Sequence, residues 1–299
     1  MTFEIQNDWL SVEIENIGAQ IISVRDWSET EYMWQRNPNV WPRTAPVLFP
    51  VIGRLRNDAY RVNGKEYLME RHGFARDMTF SVIRQTDASM VFSVFSDEKT
   101  KEKYPYDFTL DIGYQLDGLS LIKTHSVTNR STEEMFFELG GHDGFRVALD
   151  AAESMEDYYI SFEGESELHP LLKREDFLYS DERGNIPLDA GKLWLTMDLF
   201  RQDALVLDQL QSRKVILGNA KGTHRIGFTF PDFPLLGIWT PDKPFDTDFV
   251  CLEAWSSLPD SIMADMELRS KIHICRLDAG ERKIFRYTTN FFCQSKEHR

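Results

Sequence analysis

Two histidines and one glutamate occupy positions that suit acid–base chemistry. His72 lies within the sequence RHGFAR, and His142 lies among three glycines within the sequence GGHDGF. Glu253 interrupts the apolar run FVCLEAW, where burial of a lone carboxylate is costly unless the group is paired or used. Partial desolvation in a pocket raises the pKa of a carboxyl group and makes its anion a stronger base. We therefore predict that these three side chains meet in one pocket.

Each of these residues also has a purely structural interpretation. A single histidine is more often a structural or surface residue than a catalytic one, and strand alternation is equally consistent with an outward-facing Glu253. The glycines beside His142 favour a functional role, because they indicate backbone that bends sharply or lets a ligand approach closely.

Arginine and tryptophan side chains are the candidate ligand contacts. Arginines that point into the pocket can bind sugar hydroxyls, or a phosphate in bidentate fashion, whereas the others form a solvated face. Trp239 and Trp255 suit stacking on the apolar face of a sugar as well as core packing. Asp203 suits a turn as well as a ligand contact. The arginines near the first histidine are Arg54, Arg56, Arg71 and Arg76.

Other common chemistries lack their motifs. The chain contains no P-loop, no GxGxxG between a strand and a helix, and no HExxH metal-binding pair. It has no GxSxG nucleophile elbow, and a glycosidase would need two opposed carboxylates. No metal or cofactor motif is thus recognisable, and a zinc site would have to be assembled from residues distant in the sequence.

Alternating apolar and polar residues indicate that strands must position these groups. Asn63-Gly64 and Asp117-Gly118 each separate two alternating segments and predict β-hairpins. A proline-rich stretch at 38–50 predicts a loop along a sheet edge or a pocket rim, and the acidic region 150–191 predicts an irregular excursion of loops and short strands. Many short strands without a long amphipathic helix predict an all-β antiparallel sandwich or barrel-like assembly, with residues 1–299 as one domain.

The composition narrows the class of protein. A formal net charge of −14 argues against non-specific binding to nucleic acid or to anionic membranes. The chain starts without a signal-peptide pattern and has no apolar run long enough to span a membrane. Cys251, Cys275 and Cys293 lack CxxC spacing, which predicts reduced thiols and a cytoplasmic location. The polar tail at 294–299 is expected to fray.

Four short motifs follow one another along the chain: GR at 53–54, RHGFAR at 71–76, GHDGF at 141–145 and CLEAW at 251–255. In this order they resemble the motifs of the aldose 1-epimerase (galactose mutarotase) superfamily. The likeness is greatest to its branch of LacX-like proteins and hexose-6-phosphate epimerases, and it spans nearly the whole chain. The resemblance implies a large antiparallel β-supersandwich and a site without metal.

The resemblance also implies roles for individual residues. His142 corresponds to the general acid and Glu253 to the general base, with His72 as the second pocket histidine. Asp203 corresponds to an aspartate that contacts sugar hydroxyls. Arg54 corresponds to the substrate-binding arginine, although the spacing here is shorter and leaves Arg56 as an alternative.

Arg76 and Trp239 complete the predicted substrate contacts. The chain departs from its branch at Asp143-Gly144, where proline and a small residue commonly follow the histidine, and at Ala254, where proline is usual. These departures concern the fine shape of the pocket, not the acid–base pair.

The expected function is interconversion of the α and β anomers of an aldose by acid–base ring opening. The alternatives are a hexose-6-phosphate 1-epimerase and a non-catalytic sugar-binding protein on the same scaffold. The expected partner is a small-molecule aldose or sugar phosphate, with the protein a monomer or homodimer.

Overall fold

The structure is a computed structural model that describes residues 1–174, 178–242 and 247–292. It is built almost entirely of strands, with one short helix, α1 (Glu98–Lys103). Single 3₁₀ turns span Arg56–Asp58, Ala75–Asp77, Met155–Asp157, Met197–Phe200 and Leu268–Ser270. The strands are β1 (Thr2–Gln6), β2 (Leu10–Glu15), β3 (Gln20–Asp26), β4 (Val47–Leu48), β5 (Ala59–Val62), β6 (Lys65–Leu68), β7 (Ser81–Thr86), β8 (Ser89–Phe95), β9 (Phe108–Asp117), β10 (Ser120–Asn129), β11 (Met135–Phe137), β12 (Gly140–Gly141), β13 (Asp143–Arg146), β14 (Tyr158–Phe162), β15 (Glu167–Leu168), β16 (Leu171–Lys173), β17 (Tyr179–Arg183), β18 (Ile186–Pro187), β19 (Lys192–Trp194), β20 (Leu205–Leu207), β21 (Lys214–Asn219), β22 (Arg225–Thr229), β23 (Leu235–Trp239), β24 (Phe249–Trp255), β25 (Cys275–Leu277) and β26 (Arg282–Phe291).

Two large antiparallel sheets organise these strands. The first has nine strands in the order β19-β14-β21-β22-β26-β10-β9-β8-β7. The second has eight strands, in the order β17-β16-β20-β23-β24-β12-β4, with β13 also paired to β24. Smaller sheets include the three-stranded sheet β1-β2-β3 and the β5–β6 hairpin. The predicted all-β antiparallel architecture is confirmed.

The two large sheets pack face to face over one hydrophobic cluster. Phe145 of the eight-stranded sheet lies 6.2 Å, centroid to centroid, from Phe228 of the nine-stranded sheet. Every residue of β24 is buried. Its alternate residues Val250 and Leu252 join the cluster between the sheets. The intervening residues, including Glu253, therefore face the opposite side of the eight-stranded sheet.

Local turn chemistry accounts for the predicted hairpins. Asn63 and Gly64 have φ values of 50° and 77°, as a type I′ turn requires, and they connect β5 to β6. The second turn consists of Gly118 and Leu119, because β9 ends at Asp117 and β10 begins at Ser120. The turn therefore lies one residue later than the predicted Asp117-Gly118 pair.

The remaining whole-chain predictions concern thiols and membranes. Cys251 and Cys275 are buried thiols outside any disulfide among the described residues. Cys293 and the tail at 294–299 lie outside the described residues. In the described ranges, no helix has the length and apolar character needed to cross a bilayer.

Candidate active site

His142 and Glu253 form a buried cross-strand pair. Gly140 pairs with Trp255 and Asp143 pairs with Leu252, so the same register sets His142 opposite Glu253. The two side chains are nearly inaccessible to solvent, and His142 Nε2 lies 3.3 Å from Glu253 Oε2. Trp255 Nε1 donates a hydrogen bond of 3.2 Å to the same carboxylate oxygen. Glu253 therefore faces inward, and it is paired with the histidine that the sequence also singles out.

This pair lies in a cleft of about 280 Å³ above the eight-stranded sheet. The proline-rich segment that was predicted to form a pocket rim does so through Trp41 and its neighbours. The lining side chains are those of Trp41, Pro42, Arg43, Pro46, Gly53, Arg54, Arg71, His72, Arg76, His142, Lys173, Tyr179, Ala204, Trp239, Glu253, Trp255 and Pro259.

Opposite pKa shifts leave the His142–Glu253 pair with one proton near neutral pH. Burial raises the pKa of the Glu253 carboxyl group to about 8; Asp203 adds to this rise and Arg71 opposes it. Burial lowers the pKa of the His142 imidazole to about 3, and Arg71 lowers it further. Between these values the shared proton resides on Glu253, and the imidazole is neutral. The opposite assignment, a carboxylate beside an imidazolium, differs only by transfer of that proton within the pair.

The glycines beside His142 are required by protein packing. A Cβ on Gly141 would overlap the Tyr287 hydroxyl, and one on Gly144 would lie 3.0 Å from the Trp41 ring. Neither glycine has a positive φ. The predicted explanations, a sharp bend or a close ligand approach, are therefore wrong, because protein side chains occupy this space.

His72 is fixed by a strained turn. Its own φ is 68° and that of Gly73 is 71°, a region that side chains other than glycine rarely occupy. The Gly53 N–H donates a hydrogen bond of 3.1 Å to His72 Nδ1, so the ring proton of the neutral form is on Nε2. Burial lowers the pKa of His72 well below its usual range, with Arg71 the next cause. The neutral ring lies edge-on to His142 at 5.7 Å.

Aromatic rings enclose the two histidines. Trp41 stacks on His142 at 4.9 Å with an interplanar angle of 28°. Trp239 meets the same imidazole edge-on at 5.4 Å. Indole faces of this kind suit the apolar C–H surface of a sugar ring.

A cationic cluster surrounds Asp203. Its carboxylate accepts a hydrogen bond of 2.7 Å from Arg71 and is ion-paired with Lys173. Burial alone would raise the pKa of Asp203, but the two cations hold it below its usual range. The residue has a φ of 74°, another strained position. Asp203 lies just behind the cleft wall, whereas both of its cationic partners line the cleft.

The predicted arginines have different positions. Arg54 lines the cleft and forms a bidentate ion pair with Asp58, with distances of 2.8 and 2.9 Å. Arg76 also lines the cleft and donates to the Arg71 carbonyl. Arg56 is absent from the lining and donates instead to the Ala264 carbonyl. Of the two alternatives for the substrate-binding arginine, only Arg54 reaches the cleft.

The two departures from the family pattern lie away from the cleft. Ala254 packs into the core between the sheets. The Asp143 side chain is buried against Lys123 and Tyr287 of the nine-stranded sheet. Strand alternation directs both side chains away from the pocket, because each neighbours a residue that faces it. The Asp143 and Ala254 side chains are therefore absent from the pocket lining.

Several lining residues were not predicted individually as pocket contacts, among them Trp41, Arg43, Lys173 and Tyr179. Lys173 and Tyr179 belong to the irregular acidic region, which carried no recognisable motif, and Tyr179 has a buried hydroxyl without a hydrogen-bond partner among the described residues. Arg43 and Trp41 lie in the proline-rich segment, which was predicted only as a rim. Within the described ranges, no group of three or more His, Cys, Asp or Glu side chains is arranged to hold a metal ion.

Comparison with known proteins identifies relatives of this arrangement. The family model described as aldose 1-epimerase matches residues 1–271. The chromosomal LacX protein of Lactococcus lactis subsp. lactis is 34% identical over 286 residues, covering 93% of this chain and 95% of that protein. A galactose mutarotase related enzyme from Lactobacillus acidophilus has a solved structure with a TM-score of 0.93 at 34% identity, covering 99% of each chain. A galactose mutarotase-like protein from Lactobacillus casei ATCC 334 gives 0.89 at 29% identity, covering 98% of this chain and 100% of that one.

Proposed function

Because the chain belongs to the aldose 1-epimerase family, we propose that it interconverts the α and β anomers of an aldose by acid–base ring opening. The observation that carries this proposal is the buried contact of 3.3 Å between His142 Nε2 and Glu253 Oε2 inside an aromatic, cation-lined cleft. A cyclic hemiacetal needs one group to remove the proton on its anomeric hydroxyl and another to protonate its ring oxygen. The pair supplies one group of each kind.

Ring opening begins from the form in which the shared proton is on His142. The Glu253 carboxylate takes the proton from the anomeric hydroxyl while the His142 imidazolium protonates the ring oxygen. The bond between the anomeric carbon and the ring oxygen breaks, and its electron pair goes to the ring oxygen. The products of this step are an open-chain aldehyde, a protonated Glu253 and a neutral His142.

Reclosure reverses these roles. Rotation about the bond between the first two carbons presents the other face of the aldehyde. His142 then takes the hydroxyl proton as the ring oxygen attacks, and Glu253 protonates the new anomeric oxygen. The one-proton state with the proton on Glu253, which the pKa order favours, is the state in which the open chain recloses.

The other lining groups bind and orient the sugar in this proposal. His72 donates a hydrogen bond through Nε2, because its Nδ1 already accepts from Gly53. Trp239 covers the apolar face of the ring. Arg54 and Arg76 bind hydroxyl groups or an anionic substituent. Asp203 acts on the sugar through Arg71 and Lys173, the two cations that it holds at the cleft wall.

Exchange NMR of anomeric signals tests the proposal directly. The wild-type protein is expected to accelerate α/β exchange of at least one common hexose, pentose or hexose 6-phosphate above the buffer rate. Sugar binding without acceleration of any of them would instead identify a non-catalytic binding protein.

A phosphorylated aldose is the second candidate substrate, and the charge of the cleft favours it. Five cationic side chains line the cleft of a chain whose net charge is −14. Buried hydrogen bonds to a charged group are worth about 1.5–3 kcal/mol. If the substrate is phosphorylated, kcat/KM for a hexose 6-phosphate should exceed that for the free hexose by about tenfold or more. Equal values would assign the enzyme to free sugars. The cationic side chains are Arg43, Arg54, Arg71, Arg76 and Lys173.

A further inference from the structure

A buried polar cluster lies beneath His142, on the far side of its strand from the cleft. Lys123 Nζ donates a hydrogen bond of 3.1 Å to Asp143 Oδ1, and the Tyr287 hydroxyl donates one of 2.8 Å to Asp143 Oδ2. All three residues are at most 3% exposed, and none lines the cleft. A buried ion pair contributes little net stability, because desolvation offsets the attraction between the charges. The defined geometry of this ion pair is better suited to holding a backbone segment in place than to stabilising the fold.

The cluster connects the strand of His142 to the opposite sheet. Lys123 of β10 and Tyr287 of β26 are direct cross-strand partners in the nine-stranded sheet. Together they hold the carboxylate of Asp143, which follows His142 in the chain. The Tyr287 hydroxyl also lies against the backbone of Gly141, where a Cβ would overlap it. The strand is therefore held from below on both sides of His142.

The contacts of Lys123 and Tyr287 lie where the segment that carries His142 loses its pairing with β4. Pairing with β4 ends at Gly141, which lies opposite Val47. The next backbone hydrogen bond to the outer loop is the one from the Gly144 N–H to the Thr44 carbonyl, at 2.9 Å. His142 and Asp143 lie between these two contacts. A displacement of about 1 Å at a reacting group can lower a rate by about a hundredfold.

We propose that Asp143, Lys123 and Tyr287 are positioning residues that hold His142 at its working distance from Glu253. The proposal rests on the epimerase function proposed above only for its kinetic consequence. The positioning itself is a property of the folded protein and can be observed without substrate.

The test compares two tyrosine variants that each lose one buried hydroxyl. Tyr287→Phe removes the hydrogen bond to Asp143 and keeps the ring and the ion pair. Tyr60→Phe is the matched control, because Tyr60 is equally buried and donates a 2.7 Å hydrogen bond to the Lys103 carbonyl, remote from His142. Thermal midpoints of both variants report the structural loss alone.

Two readouts separate positioning from stability. In ¹⁵N-histidine NMR, Tyr287→Phe is expected to shift the ring resonances of His142, and Tyr60→Phe is expected to leave them unchanged. In exchange NMR with a turned-over sugar, Tyr287→Phe should lower kcat by about tenfold with KM changed less than about twofold. Unchanged His142 resonances, or equal kcat in the two variants, would overturn the proposal.

A second variant keeps the test available if Tyr287→Phe does not fold. Lys123→Met combined with Asp143→Asn removes both charges together and leaves no lone buried charge. It is expected to shift the His142 resonances and lower kcat in the same way, and wild-type values of both would overturn the proposal. Shifted resonances in a protein that turns over no sugar would support the positioning role and refute the epimerase function.

Discussion

At the scale of single residues, Glu253 and His142 are two buried groups that share one proton. Their pKa values are shifted in opposite directions. Desolvation disfavours the carboxylate and the imidazolium alike, so the neutral pair is the stable form near pH 7. The reactive form is reached by moving the proton over a contact of 3.3 Å, without exchange with solvent. This arrangement keeps both groups available for ring opening and for reclosure.

The pKa values predict how kcat/KM depends on pH. The pair has one proton between the His142 pKa of about 3 and the Glu253 pKa of about 8. Above pH 8 the free enzyme loses that proton and with it the acid, so kcat/KM should fall as pH rises through about 8. Initial rates of anomer exchange, corrected for the buffer reaction, measure this. A flat profile from pH 6 to pH 10 would show that the pair does not control the reaction.

The same shift predicts that Glu253 destabilises the fold at neutral and higher pH. Its pKa is about 8 in the folded protein, against the ordinary 4.5 of a glutamate side chain. Between these values the folded state holds a proton that the unfolded state has lost, so stability falls as pH rises. In this range, the free energy of unfolding falls by at most about 1.4 kcal/mol for each unit of pH. Glu253→Gln removes this dependence.

Denaturant unfolding of both proteins at several pH values checks this prediction. The free energy of unfolding of Glu253→Gln minus that of the wild type should increase from pH 4.5 to pH 8. The comparison also serves as a folding control, because the variant should be at least as stable as the wild type at pH 8. A difference that stays constant with pH would mean that Glu253 ionises normally.

At the scale of elements, the 71–76 turn holds His72 against the cleft. The N–H groups of Phe74 and Ala75 both donate to the Phe49 carbonyl, at 3.1 and 3.2 Å. Gly73 makes this possible, because its φ is 71° and a Cβ would overlap the same carbonyl. The turn therefore depends on one glycine for both its conformation and its contact.

Gly73→Ala is expected to destabilise the protein and to lower its activity. Gly64→Ala is the matched control, since Gly64 has a φ of 77° but nothing within 4 Å of an added Cβ. In Gly64→Ala, the free energy of unfolding should fall only by the cost of the left-handed conformation, about 1–2 kcal/mol, and the activity should be unchanged. Gly73→Ala should cost more, because backbone atoms must move. Urea unfolding and exchange rates measure both effects, and equal losses in the two variants would exclude the proposed contact.

Elements were predictable where local chemistry determines them. The Asn63-Gly64 hairpin follows from two residues that tolerate positive φ, and the buried β24 follows from its apolar run. The opposition of His142 and Glu253 depends on pairing between segments 111 residues apart, a register that local patterns do not reveal. Residue types predicted a shared pocket for His72, His142 and Glu253, and the family resemblance identified His142 and Glu253 as the reacting pair. It did not supply Lys173 or Tyr179, whose segment has no motif, or the inward direction of Asp143.

At the scale of the whole molecule, five cationic side chains of the described residues line one cleft of an acidic protein. They outnumber the three aspartates that pair with them, Asp58, Asp77 and Asp203. We propose that residues 1–299 form one domain, because one hydrophobic cluster draws on both large sheets. The eight-stranded sheet supplies the reacting pair and Lys173, and segments outside that sheet supply the four arginines. An anionic substrate is thus attracted at short range and repelled at longer range by the remaining surface.

If the substrate is phosphorylated, ionic strength should distinguish its attraction to the cleft at short range from its repulsion by the remaining surface at longer range. At about 0.1 M salt the Debye length is about 10 Å, so distant surface charges are already screened. At about 1 M it is about 3 Å, which weakens the attraction of the cleft as well. KM for a hexose 6-phosphate should therefore rise between these concentrations, whereas KM for a free hexose should not. Steady-state exchange rates measure both, and parallel behaviour would argue against a phosphate subsite.

The central claim is that Glu253 and His142 transfer the protons of ring opening. It is tested most directly by exchange NMR of an aldose turned over by the wild type, repeated with Glu253→Gln at the same protein concentration. Loss of one acid–base group is expected to lower kcat by about 10²–10⁴-fold, while the variant remains folded. A Glu253→Gln protein that exchanges anomers at the wild-type rate would contradict the mechanism.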